Sequence, residues 1–231
     1  MDLREFLRRL ETADELQTIT GANWDLEIGA ITEVSASFAD SKALLFDQIT
    51  GYPSGHRVLA NGLASQRRSA LALDLDPSLS GVALVRALKP KLEELKPAVP
   101  KRVSDGSVLE NVDSGGSVNV LKFPAPKWHR EDGGRYIGTM DAVILKDPET
   151  GWVNIGTYRT QAQDEKTLGV YISPGKHGKL ILEKYWSKGK AAPIAVACGI
   201  DPILFAVACT GSLAEWGVSE YEVAGGLAGA P

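Results

Sequence analysis

Asn154, His177 and Glu220 offer an amide oxygen, an imidazole nitrogen and a carboxylate, each at a strand or turn position close to glycine. That donor set suits a hard-to-borderline divalent ion such as Mn²⁺ or Mg²⁺ better than zinc, which favours thiolates and more histidines. Each residue also has an ordinary structural role available: a strand-edge hydrogen bond for Asn154, a solvated helix carboxylate for Glu220. His177 lies in "SPGKHGK", where Gly175, Lys176, Gly178 and Lys179 gather immediately before a helical pattern. Free amides at a helix start, next to cationic side chains, suit a phosphate. Arg159, in "GWVNIGTYRTQ", carries a planar guanidinium that can hold a carboxylate with two parallel hydrogen bonds. His56 and His129 sit in polar turns and read as solvated loop residues.

These residues need elements to place them. Leu3, Phe6, Leu7 and Leu10 recur at helical spacing, which predicts an amphipathic helix ending near Thr12. "LQTIT", "KALLFDQI" and "RVLANGL" read as strands, separated by a helix from about Trp24 capped by Asn23 or Asp25. "SQRRSALALDL" and "SGVALVRALKPKLEEL" read as further helices, so the first hundred residues have an α/β pattern. Between Lys96 and Asn119 the chain is rich in Pro, Gly, Ser and Asp, as expected of a linker or long surface loop. Beyond it "VLKFPAP", "YIGTMDAVILKDP", "GWVNIGTYRTQAQ", "TLGVYIS" and "APIAVACGI" read as short strands, with a helix at "GKLILEKYWSKG". This implies an antiparallel sheet or small barrel. "DPILFAVACTG" predicts a helix capped by Asp201, with Pro202 at its first position.

The chain has 231 residues, a formal net charge of −4 and no basic run, so a nucleic-acid partner is not expected. Asp201 and Pro202 interrupt the longest apolar stretch, and the N-terminus lacks a signal-like apolar run. The expected setting is the cytoplasm, with no membrane partner. Cys198 and Cys209 have no metal-ligand spacing and are expected to be buried free thiols. The apolar ending "VSEYEVAGGLAGAP" reads as the front part of something longer.

Four ordered segments, "FPAPKWHREDGGRYIGT", "WVNIGTYR", "SPGKHG" and "SEYEVAGGLAGAP", together resemble the UbiD family of reversible decarboxylases that use prenylated FMN. "MDLREFLRRLE", "DLEIGAI" and "ALLFDQITGYPSGHRVLANGLASQRRSALAL" extend the likeness over nearly the whole chain. The resemblance implies an α+β fold. Residues 1–100 would form an N-terminal α/β subdomain, 101–120 a linker, and 121–231 a β-rich, flavin-reductase-like split barrel that binds the cofactor.

It further implies that Asn154, His177 and Glu220 hold manganese at the cofactor phosphate. Trp152 and the stretch from Ala208 to Ser212, including Thr210 and Gly211, would surround a potassium ion. Thr139, the run Asn154, Ile155, Gly156, Thr157, Tyr158 and Arg159, and Lys176 would cradle the flavin. Arg159 would be the arginine of a Glu-Arg-Glu set whose glutamates belong to a Glu-Gly-Pro-x-Gly-Glu segment that the 231 residues do not contain. The implied substrate is an aromatic, heteroaromatic or α,β-unsaturated carboxylic acid. The implied partners are a flavin prenyltransferase that supplies the cofactor and further copies of the chain, joined through a C-terminal domain.

The alternatives are a flavin- and metal-binding module without chemistry, and a flavin reductase, for which no G-x-G-x-x-G fingerprint is present. One geometric expectation follows. Side chains alternate along a straight strand, so Asn154 and Arg159 can serve one site only if the chain bends or bulges between them, and Gly156 would permit that.

Overall fold

The computed structural model describes residues 1–211 and 213–230. The first helix, α1 (Leu3–Thr12), is capped by Asp2, whose carboxylate accepts from the Glu5 N–H at 2.8 Å; it buries Phe6 and Leu10. The strand β1 (Leu16–Thr20) pairs in parallel with β2 (Ala43–Asp47), and α2 (Glu27–Ala36) makes the crossover that parallel pairing requires. The helix begins later than Trp24, and neither Asn23 nor Asp25 caps it. Both are engaged in isolated bridges to Thr50 and Lys127, and the Asn23 side chain accepts from the Asp25 N–H. Leu26 instead occupies the N-cap with φ of 68° and no side-chain bond.

Next, β3 (Val58–Ala60) pairs antiparallel with β2. The helix α3 (Gln66–Ala72), capped by Ser65, packs on α1, and α4 (Gly81–Glu93) follows. Ile28, Leu44, Phe46 and Ile49 form the core of this part. From Ser107 to Lys122 the chain makes only short 3₁₀ turns. "VLKFPAP" is therefore not a strand: the Asn119 side chain accepts from the Leu121 N–H and starts a 3₁₀ turn, and Pro124 and Pro126 lack ladder donors.

The β-rich part comprises β4 (Arg135–Gly138), β5 (Asp141–Lys146), β6 (Val153–Gly156), β7 (Thr160–Ala162), β8 (Leu168–Val170), α5 (His177–Trp186), β9 (Ile194–Cys198), α6 (Pro202–Cys209) and α7 (Glu220–Ala228). Among the described residues the strands form two three-stranded antiparallel sheets here, in the orders β6-β5-β9 and β4-β7-β8. With the N-terminal β1-β2-β3 sheet, this is an α+β fold. Leu145, Trp152, Ile172 and Ile181 pack α5 against the sheets, and Ile203, Val207 and Val223 pack α6 on α7. Asp201 caps α6 by accepting from the Ile203 and Leu204 N–H groups, with Pro202 beside it.

The two parts meet at Arg135. Its guanidinium lies 3.9 Å from the Trp24 ring centroid, donates to the Ala125 carbonyl at 2.8 Å and reaches the Tyr52 hydroxyl.

Both cysteines are exposed rather than buried. Cys198 ends β9, the last strand on its side of the β6-β5-β9 sheet, and Cys209 ends α6, so neither is enclosed by a second layer. No helix among the described residues is long and apolar enough to cross a membrane.

Candidate functional site

The sequence "GWVNIGTYRTQ" is two strands in two sheets. The chain leaves the β6-β5-β9 sheet after Gly156, passes through Thr157, Tyr158 and Arg159, and joins the β4-β7-β8 sheet at Thr160. The expected bend is thus a full crossover, and Asn154 and Arg159 are freed from strand alternation. Gly156 serves it through close approach, since its φ is not positive. A Cβ there would lie 2.5–2.6 Å from the Tyr158 ring, which folds back over the strand end.

Asn154 and Glu220 are in direct contact. The Asn154 Nδ2 donates to Glu220 Oε1 at 2.8 Å, and the Ile155 N–H donates to Glu220 Oε2 at 2.7 Å. Glu220 opens α7, so the helix start presents its carboxylate to the free edge of β6. Both side chains are buried, at 3% and 5% exposure, and the Asn154 Oδ1 has no hydrogen-bond partner. Burial raises the Glu220 pKa, and the Ile155 N–H and the Asn154 amide only partly offset this.

His177 is the first residue of α5. Its ring stands edge-on to Trp152 at 5.4 Å and to Trp216 at 5.1 Å, and the two indoles lie 4.6 Å apart. Burial, with the Lys176 charge second, lowers the His177 pKa and favours the neutral imidazole that ligation requires. Tyr158 reaches from the crossover to this helix start, where its phenol oxygen lies beside Gly178, 3.2 Å from where a Cβ there would stand. Its pKa is raised, chiefly by burial.

A cleft of about 650 Å³ opens beside the crossover, walled by Thr157, Tyr158, Arg159, Gln161, Tyr171 and Lys176. Among the described residues its lining carries two cations and no carboxylate, which suits an anion.

The expected residues are therefore only partly gathered. Ile155 and Gly156 are buried in β6, and Thr157, Tyr158, Arg159 and Lys176 line the cleft. Thr139 lies exposed in the bend from β4 to β5. Thr210 and Gly211 are exposed at the end of α6, where the Thr210 hydroxyl donates to the Ala206 carbonyl. The indole N–H of Trp152 is buried without an acceptor, so this side chain offers a donor rather than a cation ligand. Ser212 lies outside the described residues.

The sequence reading missed Tyr136, Gln161, Gln163 and Tyr171 in the cleft, and Trp216 beside His177. The alternation in "TQAQ" carried the signal for the glutamines: Thr160 and Ala162 are buried, while Gln161 and Gln163 face the cleft.

No group of three or more His, Cys, Asp or Glu gathers as a metal site among the described residues. The Asn154 amide oxygen without a partner and the touching Glu220 carboxylate, whose burial is only partly offset, are nonetheless donor types that fit a divalent cation, as is the neutral His177 imidazole, which packs on Trp152.

Residues 101–231 match the family model described as UbiD, 3-octaprenyl-4-hydroxybenzoate carboxy-lyase Rift-related domain. The chain belongs to the UbiD family. Residues 7–88 match the model of the UbiD N-terminal domain. Pyrrole-2-carboxylic acid decarboxylase of Pseudomonas aeruginosa is 34% identical over 238 residues, which cover 100% of this chain and 47% of that protein. Among solved structures, vanillic acid decarboxylase of Sedimentibacter hydroxybenzoicus in its closed form is similar at TM-score 0.88 and 30% identity, over 98% of this chain and 48% of that one. An evolved dimeric form of the UbiD-class enzyme HmfF from Pelotomaculum thermopropionicum, in complex with prFMN, is similar at TM-score 0.83 and 26% identity, over 100% of this chain and 51% of that one. The chain thus spans about half the length of the UbiD relatives it matches.

Proposed function

We propose that this chain forms the cofactor- and metal-binding half of a decarboxylase acting on an aromatic, heteroaromatic or α,β-unsaturated carboxylic acid. The observation that carries this reading is the cationic cleft lying beside the buried Asn154–Glu220 contact. The names of the relatives, decarboxylases of pyrrole-2-carboxylic and phenolic acids, support the substrate class.

In this reading Asn154 Oδ1, the Glu220 carboxylate and the His177 imidazole hold Mn²⁺, whose charge offsets both the buried carboxylate and a cofactor phosphate. Lys176 and the amides at the start of α5 face that phosphate, and Thr139 and residues 154–159 border the flavin. Thr210, Gly211 and Trp152 belong to the potassium surroundings through their carbonyl groups. Prenylated FMN, when bound, supplies the electron sink that decarboxylation needs. Arg159 takes the substrate carboxylate in a bidentate grip and fixes the bond to be broken. The proton that replaces CO₂ comes from the glutamates of the Glu-Gly-Pro-x-Gly-Glu segment, outside these 231 residues. Residues 1–100 act as a supporting subdomain, 101–120 as a linker and 121–231 as the cofactor-binding domain of a cytoplasmic homo-oligomer that receives its flavin from a prenyltransferase.

FMN fluorescence titration of the 231-residue chain, with and without Mn²⁺, tests the binding reading. Quenching that depends on Mn²⁺ in the wild type and is lost in Asn154→Ala is expected. Absence of any FMN binding rules the reading out. A CO₂-release assay on the reconstituted protein then separates an enzyme from a flavin-binding module, which would give the spectrum without turnover.

A further inference from the structure

Asp141 is wholly buried and has no role in the site as described, yet it lies where the chain passes between its two antiparallel sheets. One passage is the Thr139–Met140 bend, from β4 to β5. The other is the Thr157–Arg159 crossover, from β6 to β7. Asp141 is the first residue of β5 in one sheet. Its Oδ2 meets the Oγ1 of Thr160, the first residue of β7 in the other, at 2.7 Å. Gly138 at the end of β4 leaves room for the carboxyl group, because a Cβ there would collide with it. The Thr160 Oγ1 also lies 3.2 Å from the Tyr158 carbonyl oxygen. Besides the backbone pairing of Gly138 with Thr160, this side-chain contact ties the two passages together, two residues after Thr139 on one and next to Arg159 on the other.

We propose that Asp141 is a positioning residue which, through the Thr160 hydroxyl, fixes the crossover carrying Arg159 and registers it against the bend carrying Thr139. Its importance for turnover rests on the role assigned to Arg159; the positioning itself does not. The Thr160 hydroxyl has one proton and two acceptors within reach. With the carboxylate ionised, Thr160 must share its one proton between Asp141 Oδ2 and the Tyr158 carbonyl, whereas each contact has its own proton when Asp141 donates to Thr160 Oγ1 and Thr160 donates to the Tyr158 carbonyl. That chain needs the neutral acid, and several observations agree. The Asp141 Oδ1 has no partner, no cation lies within ion-pair distance among the described residues, and burial raises the Asp141 pKa. The Cys198 thiol, opposite Asp141 on β9, carries no positive charge in any protonation state and so cannot compensate an ionised carboxylate.

The test is hydrogen–deuterium exchange of the 231-residue chain, resolved by peptide. Asp141→Asn keeps an N–H donor toward Thr160 Oγ1, whereas Asp141→Ala and the near-isosteric Thr160→Val break the chain. In Asp141→Ala and Thr160→Val, exchange is expected to accelerate roughly tenfold in peptides covering 138–141 and 157–161, the loss of about one hydrogen bond in local opening. Peptides containing Leu44 and Phe46 stay at the wild-type rate, and Asp141→Asn behaves as wild type throughout. No acceleration in Thr160→Val, acceleration spread over all peptides, or Asp141→Asn as loose as Asp141→Ala would each overturn the proposal. FMN titration of the wild type is read separately: its failure would remove the cofactor reading and leave the exchange result standing.

Discussion

The Glu220 carboxylate accepts from the Asn154 side-chain amide with one oxygen and from the next residue's backbone, the Ile155 N–H, with the other. A carboxylate so placed closes the strand edge and completes a donor set in one step. Removing it as Glu220→Ala leaves a buried amide and a buried N–H without acceptors, so the apo chain should lose about 1–3 kcal/mol of stability in denaturant titration. Asn154→Ala should weaken Mn²⁺ binding by at least about tenfold, read as free Mn²⁺ by electron paramagnetic resonance. Equal Mn²⁺ affinity in wild type and variant would contradict the assigned ligands.

Arg159 should matter through its fork as well as its charge. In the assembled decarboxylase, Arg159→Ala is expected to lower CO₂ release by at least about 10²-fold, comparable with losing one preorganised donor at a developing charge. FMN affinity should change little. Arg159→Lys keeps the charge without the paired geometry, and should recover only a small part of the lost rate. Wild-type turnover in Arg159→Ala would remove the residue from the reaction.

Gly156 is needed for the space its hydrogen leaves. A methyl group at 2.5–2.6 Å from the Tyr158 ring forces the ring or the crossover to move, so Gly156→Ala should cost about 1–3 kcal/mol in thermal unfolding. Combining it with Tyr158→Ala relieves the clash, and the double variant should be more stable than the sum of the single effects. Simple additivity would locate the strain elsewhere.

Acid should loosen the site from behind. Asp147, buried at the end of β5, accepts from the Lys184 ammonium at 2.6 Å and from the Glu149 and Thr150 N–H groups, fixing the turn that leads to Trp152 and Asn154. Burial alone would raise its pKa; the Lys184 ion pair and the two N–H bonds outweigh this and bring it to about 2. A depressed carboxylate contributes stability that is complete above its unfolded value of 3.8 and lost as pH falls through about 2. Acid unfolding followed by circular dichroism should therefore shift to higher pH in Lys184→Met, which leaves the buried carboxylate unpaired. An unchanged acid midpoint would show that the pair does not hold the turn.

Much of the fold was legible because local patterns and tertiary packing agree. The α1 stripe of Leu3, Phe6, Leu7 and Leu10, and the Asp201–Pro202 start of α6, are helix signals that packing leaves intact. The start of α2 was not legible. Tertiary bridges claim Asn23 and Asp25 before they can cap, and nothing local reveals a bridge to Lys127. The division of "GWVNIGTYRTQ" was half legible: alternation required a break, but the change of sheet depends on partners at Ile144 and Val170, outside the segment itself. The proposed metal ligands stood out through the ordered motifs they belong to, since spacing alone could not bring residue 154 to residue 220. Asp141 did not stand out, because a lone aspartate at the head of a strand reads as turn chemistry.

The contact between Asn154 and Glu220 also sets an order of events during synthesis. The two residues are 66 positions apart, so at about 5–20 residues per second the ribosome releases the glutamate roughly 3–13 s after the asparagine. Through that interval the outer edge of β6 has its N–H and carbonyl groups available to any passing strand, the condition under which nascent chains mispair. Glu220 thus ends a period of vulnerability as well as completing a site. A chain stalled before residue 220 should be bound more persistently by holdase chaperones than one stalled a few residues after it.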